Sequence, residues 1–244
     1  MSEADMMKAL IFDCDGVLVD TERDGHRVAF NRAFAEIGLD VTWDVDLYGE
    51  LLKVAGGKER MRAYFDKFGW PAEAKDKDAF ILDLHKRKTK IFKDLIASGQ
   101  LPLRPGINRI IDEAAAAGIR LGVCTTSNPD SVDGVLDLMG PERKKKFEFV
   151  LAGDVVSRKK PDPEIYNLAK ERLGLPGSSC MVIEDSRNGL LAAHGAGMPV
   201  LITTSTYTIN EDFSEAVKVV PELGDPPNVR VTLADLQALA ASAA

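Results

Sequence analysis

Cysteine is scarce in this sequence. Its 244 residues hold three, at positions 14, 124 and 180, and neither the odd number nor the spacing fits a disulfide framework, a zinc site or a CxxC redox pair. A reducing compartment is therefore expected. Aromatic residues make up only 7%, and 31 basic residues face 38 acidic ones for a net charge of −7. That balance disfavours bulk attraction to nucleic acid or to an anionic membrane surface. No apolar run reaches the roughly 18 residues of a membrane span. The opening MSEADMMKAL lacks the basic and apolar regions of a secretory signal, and its first five residues are set aside as a candidate remnant of a trimmed targeting segment. Glycine and proline, 20 and 12 in number, are too few for collagen-like or disordered chains.

What is present is a foldable amount of apolar sequence, 45% of the chain. A chain of this length buries roughly 70–75% of its unfolded surface and needs no staple. Hydrophobic periodicity predicts a strand at Ala9–Phe12, then a helical block from Glu22 to Ser98 with no strand inside it. The tail alternates. Helices are expected at Ile107–Ala117, Pro129–Met139, Pro163–Leu173 and Arg187–Gly195. Strands are expected at Arg120–Cys124, Phe147–Leu151, Cys180–Ile183 and Pro199–Thr203. Short apolar strands separated by helices read as a parallel sheet covered on both faces. The fold class is α/β, a Rossmann-like parallel sheet core with an inserted α-helical cap domain. Residues 1–18 and 100–244 form the discontinuous core and residues 19–99 the cap. Pro221–Asn228 reads as an irregular stretch and Val231–Ala243 as a terminal helix.

Open parallel sheets bind ligands beyond the carboxyl ends of their strands. The first strand ends in Asp13-Cys14-Asp15-Gly16, the second in Thr125-Thr126-Ser127-Asn128, and the fourth in Glu184-Asp185-Ser186. The third unit leads to Lys159-Lys160-Pro161. Several carboxylates at one edge repel each other unless a cation sits among them. Mg²⁺, which takes oxygen ligands from one or two carboxylates and a substrate phosphate, suits the set. Asp13 and Asp185 are the natural ligands, with Glu184 a second or water-mediated partner. Asn128 can cap a helix that has Pro129 at its first position, so that hydroxyls and free N–H groups of Thr125, Thr126 and Ser127 offer a phosphate seat. Capping alone would also explain Asn128. Lys160, extended before Pro161, can aim its ammonium inward. Cys14 is no candidate nucleophile, because flanking carboxylates raise a thiol pKa.

These residues resemble four motifs of the haloacid dehalogenase superfamily: DCDGVLVDTE, Thr125, Lys160 before proline, and IEDSRNGLLAAHGAG. The resemblance implies Asp13 as a nucleophile that forms an aspartyl-phosphate and Asp15 as general acid and base. Thr125 would bind the phosphoryl group and Lys160 would offset charge. Asp185 would complete a Mg²⁺ site with Asp13 and the Asp15 backbone carbonyl. The helical insertion resembles the cap of the branch that holds β-phosphoglucomutase, phosphoglycolate phosphatase and the CbbY-type sugar-bisphosphate phosphatases. DTERDGHRVAFNRAF and LLKVAGGKERM are most similar to the CbbY type, which removes the 1-phosphate of xylulose-1,5-bisphosphate. That similarity also implies a photosynthetic setting: chloroplast stroma if a transit peptide has been removed, or bacterial cytoplasm.

In the cap, Ile81, Leu84, Ile91 and Leu95 form an apolar stripe if position 88 belongs to it, and position 88 is Lys88. A lysine there either snorkels to water or meets an anion. Lys86, Arg87, Lys90 and Lys93 read as a solvated face. Ala55-Gly56-Gly57-Lys58-Glu59-Arg60 fails the Walker pattern and reads as a glycine turn between helices. In the related branch that turn is the specificity loop, which makes Gly56, Gly57, Lys58 and Arg60 candidate substrate contacts, and Lys88 joins them from the stripe as a candidate anion contact. A second cationic cluster in an acidic chain points to a substrate with more than one negative group. Glu22 either accepts hydrogen bonds from sugar hydroxyls or stabilises a helix N-terminus. Arg143-Lys144-Lys145-Lys146 reads as solvated surface, and His85 and His194 as structural or exposed. The mutase of the branch carries a histidine where Gly25 stands here. His26 falls one place later, which turns it by about 100° on an α-helix and argues for phosphatase over mutase. The expected protein is a monomer acting on a small sugar phosphate, with no nucleic-acid or membrane partner. A phosphosugar mutase and a catalytically silent binding protein stand as alternatives.

Overall fold

A computed structural model describes residues 7–54, 57–99 and 101–243. The chain divides into two compact units, Met1–Asp20 with Pro102–Ala244, and Thr21–Leu101. In chain order the elements are β1 (Ala9–Phe12), a π turn (Glu22–His26), α1 (Arg27–Glu36), α2 (Val45–Leu51), α3 (Gly57–Phe68) and α4 (Lys77–Ala97). There follow α5 (Ile107–Ala116), β2 (Arg120–Cys124), α6 (Pro129–Asp137), α7 (Pro141–Lys144), β3 (Phe147–Leu151) and α8 (Glu164–Leu173). The last are β4 (Cys180–Glu184), α9 (Arg187–Gly195), β5 (Val200–Thr203), β6 (Lys218–Val220) and α10 (Leu233–Ser242).

The first unit is a six-stranded sheet of order β3-β2-β1-β4-β5-β6, parallel throughout. Every residue of β1, β4 and β5 is buried, as strands covered on both faces must be. Helices start where side chains satisfy their free N–H groups. Asn128 accepts from Asp130 N at 2.9 Å before α6, Ser186 from Gly189 N at 3.1 Å before α9, and Thr232 with Asp235 closes a capping box on α10. Two elements were not expected from periodicity. Strand β6 has only three residues, none fully buried, and α7 is a single four-residue turn. The basic run falls on and just after α7, where each cation meets a carboxylate: Arg143 and Lys146 on Asp112, Lys144 on Asp133 and Asp137, Lys145 on Glu142.

The second unit is helical. Phe30, Phe34, Trp43, Tyr48, Met61, Phe65 and Leu84 fill its interior, and Asn31 clasps the Trp43 peptide through two 2.8 Å hydrogen bonds. On α4 the buried positions are Ile81, Leu84, Lys88, Ile91, Phe92, Leu95 and Ile96, while Lys86, Arg87, Lys90 and Lys93 are exposed. Among the described residues, no helix is long and apolar enough to cross a membrane. The π turn corrects one expectation. The 100° displacement of His26 assumes continuous α-helix, but the Arg27 N–H donates to the Glu22 carbonyl, five residues back. A π turn takes up an added residue, so the spacing gives no ground for displacing His26.

Candidate active site

Asp13 follows directly on β1, and its peptide N–H donates to Ile183 O of β4 at 3.0 Å, which fixes where the carboxylate leaves the sheet. Asp13, Glu184 and Asp185 can each place an oxygen within 4.8 Å of the other two, and all three are buried. Lys160 is the counter-charge. Its Nζ donates to Asp13 Oδ1 at 2.6 Å, to Glu184 Oε1 at 2.5 Å and to the Cys124 carbonyl at 2.9 Å. The two acids hold its pKa far above the ordinary value although burial opposes this. Lys159 points elsewhere, to Gly153 O and Asp154.

One lysine does not balance three buried acids. Burial first, then Glu184 and Asp15, push Asp13 up to about 8 against the pull of Lys160. Asp185 is raised well above the usual range by burial and by Asp13 and Glu184, while Ser205 and Arg104 oppose the rise. Such a cluster lacks positive charge, and its donors are all oxygen, the set that suits a hard divalent ion and not zinc or copper. The backbone is shaped to match. Gly16 has φ +80°, and a Cβ there would lie 2.0 Å from Asp185 Oδ2. A Cβ on Gly189 would lie 2.0 Å from Glu184 Oε2. The residues therefore fit Mg²⁺, with Asp13 and Asp185 the less encumbered carboxylates. Glu184 Oε1 already accepts from Lys160 and, at 2.6 Å, from the Tyr166 hydroxyl.

Thr125 is buried and pinned by its N–H to Leu151 O at 2.9 Å. Its hydroxyl accepts from Ser127 N at 3.2 Å. The Ser127 hydroxyl donates to Asp15 Oδ2. Thr126 is exposed, and Asn128 commits its side chain to the α6 cap. Burial, then Asp15 and Asp13, raise the Cys14 thiol well above its ordinary pKa, so it is held protonated. All three cysteines are free and buried.

The helical unit gathers its own polar group. The Tyr48 hydroxyl donates to Glu22 Oε2 at 2.6 Å and accepts from Arg60 Nη1 at 2.9 Å. Arg60 Nε donates to Leu51 O at 3.2 Å, and the guanidinium lies over the Tyr48 ring. Lys88 does not snorkel. It is 8% exposed, its Nζ sits 2.8 Å from His26 Nδ1, and it faces the rings of Phe30 and Phe92 at 4.8 and 5.0 Å. Burial and the nearby charges of Lys88 and Arg60, with His85 behind them, lower His26 well below its usual pKa. The imidazole is therefore neutral, with Nδ1 accepting. Lys58 is exposed and Gly57 opens α3. Gly56 lies outside the described residues. Three polar partners, Tyr166, Tyr48 and Arg104, were not anticipated. The only signal for the two tyrosines is that the chain has four.

A parallel sheet that brings paired carboxylates, a buried lysine and a hydroxyl-rich loop to one edge defines a phosphate-handling hydrolase. The chain belongs to the haloacid dehalogenase-like hydrolase family, whose sequence signature matches residues 7–197. It is 55% identical over 231 residues to the CBBY-like protein of Arabidopsis thaliana, covering 93% of this chain and 72% of that protein. The crystal structure of CbbY from Rhodobacter sphaeroides in complex with phosphate superposes with a TM-score of 0.77 at 40% identity, covering 95% of this chain and 99% of that one. A mutant of the same protein, crystallised with xylulose-(1,5)bisphosphate, matches with the same score and identity over 95% of this chain and all of that one. The protein is an enzyme, a CbbY-like phosphatase of this family.

Proposed function

We propose that the chain is a Mg²⁺-dependent phosphatase of a sugar bisphosphate, converting xylulose-1,5-bisphosphate to xylulose-5-phosphate through an aspartyl-phosphate on Asp13. The observation that carries the reading is the position of Asp13, with one oxygen clamped by Lys160 inside a cluster short of positive charge. Asp13, Asp185 and the Asp15 carbonyl would hold a Mg²⁺ ion, which would supply that positive charge to the phosphoryl group. The Asp13 carboxylate attacks phosphorus while the bond to the sugar oxygen breaks, and Asp15 gives that oxygen its proton. Water then attacks the aspartyl-phosphate, Asp15 takes its proton, and phosphate leaves with Asp13 restored. Ser127 orients Asp15 for both transfers. Thr125 and Lys160 hold the phosphoryl group, with Thr126 and Asn128 at the margin of the seat.

Lys88, Arg60 and Lys58 bind the second phosphate in this reading, and Glu22 and Gly57 shape the sugar site. The support is that Lys88 and Arg60 are two buried cations of the helical unit, Lys88 beside the His26 ring and Arg60 beside the Tyr48 hydroxyl that also reaches Glu22. Three free buried cysteines suit the reducing chloroplast stroma or bacterial cytoplasm. A phosphosugar mutase is the second reading. The π turn keeps it open, because the spacing of His26 no longer argues against it.

A phosphate-release screen over sugar mono- and bisphosphates, with conversion of glucose-1-phosphate to glucose-6-phosphate followed alongside, tests both readings. Asp13→Asn should abolish turnover, because an amide cannot attack phosphorus. Lys88→Ala or Arg60→Ala should depress kcat/KM for the bisphosphate by about ten- to a hundredfold, the worth of a buried charge-assisted contact. The same changes should leave a small aryl phosphate nearly untouched. Equal losses on both substrates would assign the two cations to holding the helical unit together. Conversion of glucose-1-phosphate without net phosphate release would make the enzyme a mutase.

A further inference from the structure

Arg104 stands two residues after the chain re-enters the sheet unit at Pro102, outside every motif that carries the reaction. Its backbone N–H donates to Leu18 O at 2.8 Å. Its guanidinium reaches four more carbonyls. Nη1 donates to Gly16 O and, at 3.1 Å, to Thr203 O. Nη2 donates to Thr204 O at 2.7 Å and to Pro221 O at 2.6 Å. These carbonyls belong to three separate stretches: the loop that leaves β1, the end of β5, and the residue after β6. The planar fork of arginine carries five N–H donors in fixed directions. A lysine, a compact point charge with three donors, cannot span the same set.

A second clamp lies at the far end of the loop. Asp20 Oδ2 accepts from the Thr206 hydroxyl at 2.6 Å and from its N–H at 3.3 Å. The stretch after β5 thus grips the loop near its start, through Arg104 and Gly16, and at its exit, through Asp20. Between the grips the loop is closed on itself by Gly16 N to Val19 O at 2.7 Å and Leu18 N to Cys14 O at 2.9 Å. Gly16 is in turn the wall against which Asp185 lies, since a Cβ there would meet its carboxylate. A shift of the Gly16 peptide therefore moves the backbone beside Asp15 and the seat of Asp185 together.

We propose that Arg104 is a positioning residue for phosphoryl transfer: it ties the Gly16 peptide to the ends of β5 and β6 and so sets the register of the Asp13–Asp15 loop against Asp185. The inference rests on the reading of Asp13 and Asp15 as the reacting groups. Because Arg104 acts on the loop and not on the sugar, its loss lowers kcat with KM little changed. The loss is the same for a sugar phosphate and for p-nitrophenyl phosphate.

The test uses the full chain with Arg104→Lys, Arg104→Ala and Thr206→Val, measuring kcat, KM, the Mg²⁺ concentration for half-maximal rate, and Tm. A misplacement of the order of 1 Å costs up to about a hundredfold in rate, so both Arg104 variants should lose about ten- to a hundredfold in kcat and need more Mg²⁺. Millimolar guanidinium should restore part of the rate to Arg104→Ala and none to Arg104→Lys. Thr206→Val, which loosens only the second clamp, should show a smaller loss of the same kind. The proposal is overturned if Arg104→Lys keeps kcat within about threefold of the parent. It is overturned equally if KM rises while kcat stays, or if guanidinium restores nothing to a folded Arg104→Ala. Asp13→Asn, run in parallel, separates the two failures: if it stays active the reading of the reacting groups is wrong, whatever Arg104 does.

Discussion

Replacing Lys160 by methionine removes the one cation shared by two buried carboxylates while keeping the length and most of the volume of the side chain. In the parent, the Lys160, Asp13 and Glu184 side chains are 8%, 10% and 1% exposed, so water cannot take over the lost contacts. Breaking a buried ion pair by removing one partner costs about 3–5 kcal/mol, a large part of the roughly 5–15 kcal/mol that holds a domain folded. Methionine leaves little cavity, so the loss is electrostatic. It has a pH signature. Asp13 already stands at about 8 against 3.8 for a free carboxyl, and without Lys160 it rises further. Between those two values the folded state binds more protons than the unfolded state, so stability falls as pH rises. The deficit of Lys160→Met is then smallest near pH 5 and largest above pH 8. Both tryptophans, Trp43 and Trp70, belong to the helical unit. Urea titration followed by amide exchange in β1 and β4 therefore reports the sheet, with tryptophan fluorescence as the control. In the metal-free protein Glu184→Gln should cost far less in the Lys160→Met background than alone, a coupling of about 1–3 kcal/mol in a double-mutant cycle. A Lys160→Met protein within about 1 kcal/mol of the parent at both pH values, with the two changes additive, would refute this account of the cluster.

Two further outcomes follow from titration. Binding of Mg²⁺ should tighten as pH rises towards 8, by up to about tenfold per unit for each proton released, because Asp13 and the raised Asp185 must ionise to act as ligands; calorimetry at pH 6 and pH 8 that finds equal or weaker binding at the higher pH sinks the cation-deficit argument. The helical unit should lose stability as pH falls below about 6.5, because His26 is held well below its usual pKa and the unfolded chain takes up a proton that the folded one refuses, at up to about 1.4 kcal/mol per unit. His26→Gln should flatten the acid side of the fluorescence-detected urea midpoint, and an unchanged slope in that variant would remove His26 as the cause.

The strand ends were legible because a doubly covered parallel sheet writes its strands as uninterrupted apolar runs, and chemistry falls where each run stops. Ala9–Phe12 delivers Asp13 and Cys180–Ile183 delivers Glu184 and Asp185. Strand β6 was not legible: three residues at the sheet edge, with none of them fully buried, carry no such run. Lys88 could be placed on its stripe by 3 and 4 spacing alone, but its partner His26 lies 62 positions away. Tyr166 and Arg104 escaped for the same reason. Arg104 meets Thr204 across 100 positions, and no local pattern announces a contact made only when distant loops converge. Local periodicity reports which face a residue takes; it does not report whom it meets there.

The π turn is the sharper case, because there the spacing gave a definite and misleading answer. Counting from Asp20, a histidine at the fifth place and one at the sixth differ by a quarter of an α-helical turn or more, and the phosphatase preference leaned on that difference. The count holds only if every residue between advances by the same angle. Here the Arg27 N–H reaches back five residues to Glu22, so one residue is absorbed as a bulge and α1 continues in phase beyond it. The residue at the bulge that packs most tightly is Gly25, where a Cβ would come within 2.7 Å of the Phe92 ring. The same ring stacks on His26 at 4.0 Å. Glycine at position 25 thus permits the turn that carries His26 onto Phe92 and Lys88. Since an inserted residue and a π turn cancel in direction, the distance in sequence from Asp20 to His26 does not separate a phosphatase from a mutase reading of this chain. That distinction belongs to the fate of the phosphoryl group, transferred to water or back to the sugar, and only product analysis reads it.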